Sequence, residues 1–221
     1  MLNRRQIEVS ARQFYFLNAN DTIEIRFSKA DHLKTCLILF KEGFVEDCCP
    51  EARFPNLPLE LNSTIRATIS RLLQTHNRQD LDDALFELIA ESRRLSDQAS
   101  RRVQRVPAAK RTTKEELYRR LSEARDFMQD NASQNLTIEE IAGQVCLNKF
   151  HFHYNFKEVY NTTPHRYFTE LKLQKAFKLL QTQQHSVTEV CFLLGFESPG
   201  SFSNLFKRRF KISPSQIPNF R

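Results

Sequence analysis

Thr137-Ile138-Glu139-Glu140-Ile141-Ala142 returns 49 residues later as Ser186-Val187-Thr188-Glu189-Val190-Cys191. Farther on, Phe152, Phe156, Lys157 and Thr163-Pro164 return 50 residues later as Phe202, Phe206, Lys207 and Ser213-Pro214. The C-terminal half is therefore a duplication, with one residue added inside the second copy. Each copy reads alike. A Ser or Thr caps a short helix, a tight turn follows, and a second helix carries Phe at i and i+4. A Ser/Thr-Pro pair then stops that helix, because Pro suits the first position of the next one. Helix, tight turn and helix, written twice, predict two helix-turn-helix units.

The spacing also sorts the side chains. In the first copy Phe152, Phe156 and Val159 form the face to be buried, opposite Lys149, Phe150, His153, Tyr154 and Lys157. In the second, Phe202, Phe206 and Phe210 are expected inside, with Gly200, Ser203, Asn204 and Lys207 outside. Phe pairs at this spacing are ordinary core and prove no function by themselves, but a helix-turn-helix needs that core too. Small polar, amide, imidazole and basic groups on the opposite face suit base edges and phosphates. The helix between the units runs from Pro164 to about Gln181, 18 residues, or about 27 Å. Successive major-groove faces lie about 34 Å apart. Such a helix can hold two recognition helices near one groove repeat apart on one side of double-stranded DNA. In the second unit, Gly195 beside Phe196 is expected to take a left-handed backbone.

Working outward, residues 100–112 are basic, poor in large apolar groups and broken by Pro107. They read as a linker or a frayed helix end and divide the chain into residues 1–105 and 106–221. Thr113 with Glu116 reads as a capping box for a helix carrying Leu117, Leu121, Ala124 and Phe127-Met128 and ending near Asn131. Before the linker, residues 14–17, 22–27 and 35–40 read as three strands, with a turn at 18–21. Pro50, Pro55 and Pro58 mark an irregular passage. Two apolar stripes follow, Leu61, Ile65, Ile69, Leu72 and Leu73, then Leu81, Leu85, Leu88, Ile89 and Leu95. Asp80 is the expected cap of the second helix. The predicted fold class is mainly α: an all-α C-terminal domain of two helix-turn-helix units on a long helix, preceded by a small α+β domain.

The chain of 221 residues has a net charge of +7. Residues 1–110 hold 17 Lys and Arg against 15 Asp and Glu, and residues 111–221 hold 16 against 11, so most of the excess lies in the repeat. A basic domain attracts polyanions, nucleic acid above all. No apolar run is long enough to span a membrane and no signal core follows Met1, so a cytoplasmic protein is expected. Five Cys without metal spacing fit a reducing compartment. His151 and His153, two apart on a helix, point in different directions, while His76 and His185 are isolated. With no phosphate loop and no paired carboxylates, no catalytic residue, metal or cofactor is expected, and the chain is not read as an enzyme.

Residues 113–217 resemble the C-terminal domain of the AraC/XylS family of bacterial transcription regulators. The match lies in Leu117-Tyr118-Arg119-Arg120-Leu121, Ile138 to Ala142, and Lys149-Phe150-His151-Phe152-His153. It continues through Phe156-Lys157, Thr163-Pro164, Ala176 and Leu179-Leu180 to Gly195-Phe196, Ser201-Phe202-Ser203, Phe206-Lys207 and Ser213-Pro214-Ser215. The resemblance implies transcription regulation through both recognition helices. By position, Phe150, His153 and Tyr154 of the first, joined by Lys149, and Pro199, Gly200, Ser201, Ser203 and Asn204 of the second would face bases. Lys157, Lys207 and Arg208 would face phosphates. The sequence departs from the family's habit at Tyr154 and Lys172, where Arg is frequent, at Asn155, where an apolar residue packs, and at Asn161 and Lys211, where Gly is favoured. Residues 1–105 resemble the rear of a cupin-like effector domain with its dimer helices. A ligand-enclosing barrel needs about eight strands, so the pocket is incomplete and a small-molecule effector stays open. A weak homodimer through residues 61–98, seamed near Leu85, Leu88 and Leu95, is expected, and RNA polymerase is a further candidate partner. The competing reading is a truncated regulator that serves as a protein-interaction module without strong DNA binding.

Overall fold

The computed structural model describes residues 12–16, 38, 40, 44–48, 54 and 57–217. The chain forms two compact units, Met1–Arg102 and Val103–Arg221. Among the described residues the architecture is mainly helical.

In the first unit, β1 (Gln13–Phe14) pairs antiparallel with β2 (Leu59–Glu60), Gln13 opposite Glu60 and Phe14 opposite Leu59. The strand read over 14–17 is thus one residue earlier and shorter, and β2 falls in the passage between the irregular stretch and the first apolar stripe. The expected strand 22–27 and turn 18–21 lie outside the described residues, as does 35–40 apart from Ile38 and Phe40. A short helix, α1 (Phe44–Cys48), follows. The Phe16 ring stacks on Phe54 at 3.7 Å and on Phe40 at 5.8 Å between centroids. Asn62 caps α2 (Ser63–Gln74) by accepting from the Ile65 amide at 2.9 Å. Its Nδ2 donates to Glu91 Oε1 at 2.6 Å and so ties α2 to α3 (Arg78–Arg105). An Arg71–Glu87 ion pair makes a second tie.

One expectation for these helices is corrected. Asp80 lies inside the first turn of α3, and the capping acceptor is Asn77, whose Oδ1 takes the Gln79 amide at 3.1 Å. Of the basic stretch, residues 100–105 form the end of α3, the second of the two alternatives, and 106–110 interrupt the helices. Leu88 and Leu95 are buried within the single chain beside Ala84, Ile89 and Ala99. Within the single chain they are internal core, while Leu85 of the expected seam is half-buried. Leu73 and Phe86 remain exposed instead.

The second unit is built on α4 (Arg111–Asp130) and α7 (Pro164–Gln181). Between them lie α5 (Ile138–Gln144) and α6 (Lys149–Tyr160); after them come α8 (Val187–Leu193), α9 (Pro199–Phe210) and a 3-10 turn at Pro214–Gln216. The capping box predicted at Thr113 does not form. Helix α4 starts earlier, after Lys110, which caps with no side-chain bond. Glu116 instead accepts from Arg119 and Arg120, and those guanidinium groups hold its carboxyl down at about 2. Helix α4 packs on α5, α6 and α7, while α7 also packs on α8 and α9. One core joins Leu121, Met128, Ile141, Phe152, Phe156 and Val159 of the first half; the other joins Leu173, Ala176, Leu180, Val190, Phe202 and Phe206. Each of those four Phe rings is fully buried, worth roughly 1.5–3 kcal/mol apiece. Phe210, expected inside, is only half-buried, against Phe177 and Phe206.

Candidate nucleic-acid interface

The duplication read from the sequence is present in the backbone. Helices α5 and α8 are each capped by a complete box, Thr137 with Glu140 and Ser186 with Glu189. The capping bonds stabilise the ionised form and hold both Glu carboxyls below their usual range. The added residue lies in the turn, which runs over 145–148 in the first unit and 194–198 in the second. Both turns use a left-handed residue at the same place, Cys146 at φ 54° and Gly195 at φ 68°. Both recognition helices also end in a left-handed residue, Asn161 at φ 54° and Lys211 at φ 64°. Asn tolerates this backbone through its short polar side chain, while Lys holds it at a cost. The Asn161 amide donates to Lys157 O and the Lys211 amide to Lys207 O, which closes each helix.

Two caps that start the recognition helices were not singled out from the sequence. Asn148 Oδ1 accepts from the His151 amide at 2.8 Å, and Ser198 Oγ accepts from the Ser201 amide at 3.2 Å. The Ser198-Pro199 pair carried that signal, since Pro at the first helical position follows a Ser cap. Pro199 is half-buried and starts α9.

Opposite the buried Phe stripes, the side chains named from the sequence come together on two exposed faces. On α6, Phe150 is 82% exposed and Tyr154 54%. Lys149, His153 and Lys157 are exposed beside them. On α9, Gly200, Ser201, Asn204, Lys207 and Arg208 are exposed, and Ser203 is half-buried. Lys149 differs from the other cations in being ion-paired with Glu139 of α5, which lowers the Glu139 carboxyl. Lys157, Lys207 and Arg208 have no acidic partner among the described residues. Arg209, absent from the sequence-derived set, pairs with Glu170 of α7 and lies 5.2 Å from the Phe210 ring centroid. It fastens α9 to the linking helix.

Two polar groups sit behind these faces. Asn155 is buried; its Nδ2 donates to His151 O at 2.7 Å, but its Oδ1 has no hydrogen-bond partner among the described residues. Lys172 of α7 is buried with its ammonium 4.8 Å from the Phe168 ring centroid and 5.9 Å from that of Phe196. Burial pushes its pKa down. Among the described residues no cluster of three His, Cys, Asp or Glu could hold a metal, and no helix is long and apolar enough to cross a membrane.

Two capped helix-turn-helix units on one shared helix, each with a polar face opposite a Phe core, define a double helix-turn-helix domain. A family model described as a helix-turn-helix domain matches residues 141–219. Over this C-terminal domain the chain is similar to AraC/XylS-type regulators. It is 36% identical over 98 residues to the HTH-type transcriptional activator RhaS of Klebsiella pneumoniae, covering 44% of this chain and 35% of that one. The RhaS of Salmonella arizonae is 35% identical over the same length. The chain thus spans about a third of the length of the curated relatives it matches. Among solved structures it is similar to a transcriptional regulator from Chromobacterium violaceum described as having an AraC-type DNA-binding domain. That likeness has 31% identity and a TM-score of 0.42, over 44% of this chain and 88% of that one.

Proposed function

We propose that the chain is a sequence-specific transcription regulator that binds double-stranded DNA, placing α6 and α9 in successive major grooves. The observation that carries this is the pairing of two equivalent helices, each with a buried Phe pair behind and an exposed polar or basic face in front. The length of α7, 18 residues, supports a separation near one groove repeat, and the relatives named as transcriptional activators support the regulatory role. His153 and Asn204 read base edges; Lys157, Lys207 and Arg208 take phosphates.

Selection of bound sequences from random DNA, followed by titration, tests the reading. A preferred site should emerge, bound about 10³-fold or more above random DNA. His153→Ala and Asn204→Ala should each cost on the order of 1–3 kcal/mol on that site and less on random DNA. Equal losses on both would reduce these residues to positioning the protein, and failure to select any sequence would favour a protein-interaction module. A weak homodimer through residues 61–98 belongs to the same proposal, now supported by the exposed Leu73 and Phe86 rather than by the buried leucines. Sedimentation of the intact chain at micromolar concentration decides it.

A further inference from the structure

The two exposed faces differ in chemistry. The centre of the α9 face is small and polar, Gly200, Ser201 and Asn204, with its cations, Lys207 and Arg208, in the last turns. The centre of the α6 face is aromatic. Phe150 and Tyr154, four residues apart, lie on one side of the helix, and among the described residues neither ring packs on another aromatic side chain. Phe152 and Phe156 of the same helix are fully buried, so the exposure of Phe150 belongs to its place on this face. The cation beside it, Lys149, is held by Glu139, and Lys157 stands two turns farther along.

An exposed, uncharged ring has few complements in a duplex. Phosphates offer it nothing, and the faces of stacked bases are covered. The apolar group that a base pair presents in the major groove is the C5-methyl of thymine. We propose that the first recognition helix, besides the hydrogen bonding of His153, reads thymine by its methyl group, with Phe150 as the contact and Tyr154 flanking it, whereas the second reads by hydrogen bonds alone. This rests on the DNA binding proposed above and names what one half of the site must contain. It also divides the labour. The Phe150 contact is apolar and insensitive to salt, and Lys157, Lys207 and Arg208 carry the salt-dependent grip.

The test uses the full chain and a sequence selected from random DNA. Each thymine of that site is replaced in turn by deoxyuridine, which removes the methyl and keeps the base-pairing groups, and affinity is read by fluorescence anisotropy. One or two positions confined to one half-site should lose about fourfold each, the ratio expected for burying one methyl-sized group. Phe150→Ala, at an exposed position and checked for an unchanged melting temperature, should bind the thymine and uracil forms of that site alike. Asn204→Ala, though weaker overall, should keep the thymine preference. If no replacement changes affinity, or if Phe150→Ala keeps the full ratio, the inference is overturned while DNA binding stands. If no sequence is selected at all, the DNA-binding reading falls and takes this inference with it.

Discussion

Gly195 and Asn135 approach so closely that a Cβ on Gly195 would lie 2.8 Å from Asn135 Oδ1. Asn135 belongs to the loop after α4, and Gly195 to the turn of the second helix-turn-helix, so the glycine lets that loop close against that turn. Its φ of 68° is a second reason for glycine. Gly195→Ala should therefore destabilise the C-terminal domain by about 1–2 kcal/mol or more. The equivalent residue of the first turn, Cys146, has the same left-handed backbone but is exposed. Cys146→Gly should stabilise by up to about 1 kcal/mol. Thermal melts of the two variants should move in opposite directions.

Asn155 keeps one bond and leaves one acceptor unmatched in the core of the first unit. A buried unsatisfied acceptor costs about 1–3 kcal/mol, and a typical bond contributes about 0.5–1.5. Asn155→Leu, similar in shape and apolar, should raise stability by about 1 kcal/mol without changing the exposed face of α6. Denaturant melts and a DNA titration on the same sample check both halves of this expectation.

Lys172 gives the C-terminal domain a pH dependence on the alkaline side. Its folded pKa is pushed below the ordinary 10.5 by burial. Between the lowered value and 10.5 the unfolded chain binds more protons than the folded one, so stability rises with pH across that window. Below it, the cost of burying the cation is fully present. Lys172→Met should remove that rise and add up to about 1 kcal/mol at neutral pH. Melting temperatures of both proteins at pH 7 and pH 10 give the answer; parallel curves would show that the ammonium finds enough water.

The cations on the two faces should differ in their share of the salt dependence. Lys207→Ala should reduce the slope of log affinity against log salt by about one unit. Lys149→Ala should change it less, because Glu139 already neutralises that ammonium. Glu139→Gln frees the cation and should tighten binding to DNA of any sequence. A Lys149→Ala slope change as large as that of Lys207→Ala would mean the ion pair opens on binding.

The parts of the fold that the sequence revealed are those written in local chemistry. Thr137 with Glu140 and Ser186 with Glu189 are three apart and bond as the pattern requires. Phe at i and i+4, Pro at the first helical position and a glycine in the turn need no distant partner to be read. The failures are of another kind. Thr113 and Glu116 satisfy the same pattern, but two guanidinium groups compete for Glu116. Around the start of α3 four acceptors, Asn77, Asp80, Asp82 and Asp83, stand in one short run, and local chemistry does not choose among them. Leu59-Glu60 is too short a strand to show alternation, and it exists through partners 45 and 47 residues away. The exposed side chains on α6 and α9 were legible because their opposite faces were. The Lys149–Glu139 and Arg209–Glu170 pairs were not, since they depend on how two helices cross.

Helix α7 gives the lower part of its length to one core, with Tyr167 against Phe156, and the upper part to the other, with Leu173, Ala176 and Leu180. The separation of the two reading heads is therefore quantised. One residue inserted in α7 would advance the second head by about 1.5 Å but swing it by about 100° around the axis, out of line with the first. Only additions near a whole number of turns return it to the same side, and the first of these already moves it by about 5.4 Å. On the proposed reading, a lineage of such proteins cannot drift gradually toward wider or narrower operators by lengthening this helix. It can change what each head recognises one side chain at a time, while the distance between the two recognised segments stays fixed.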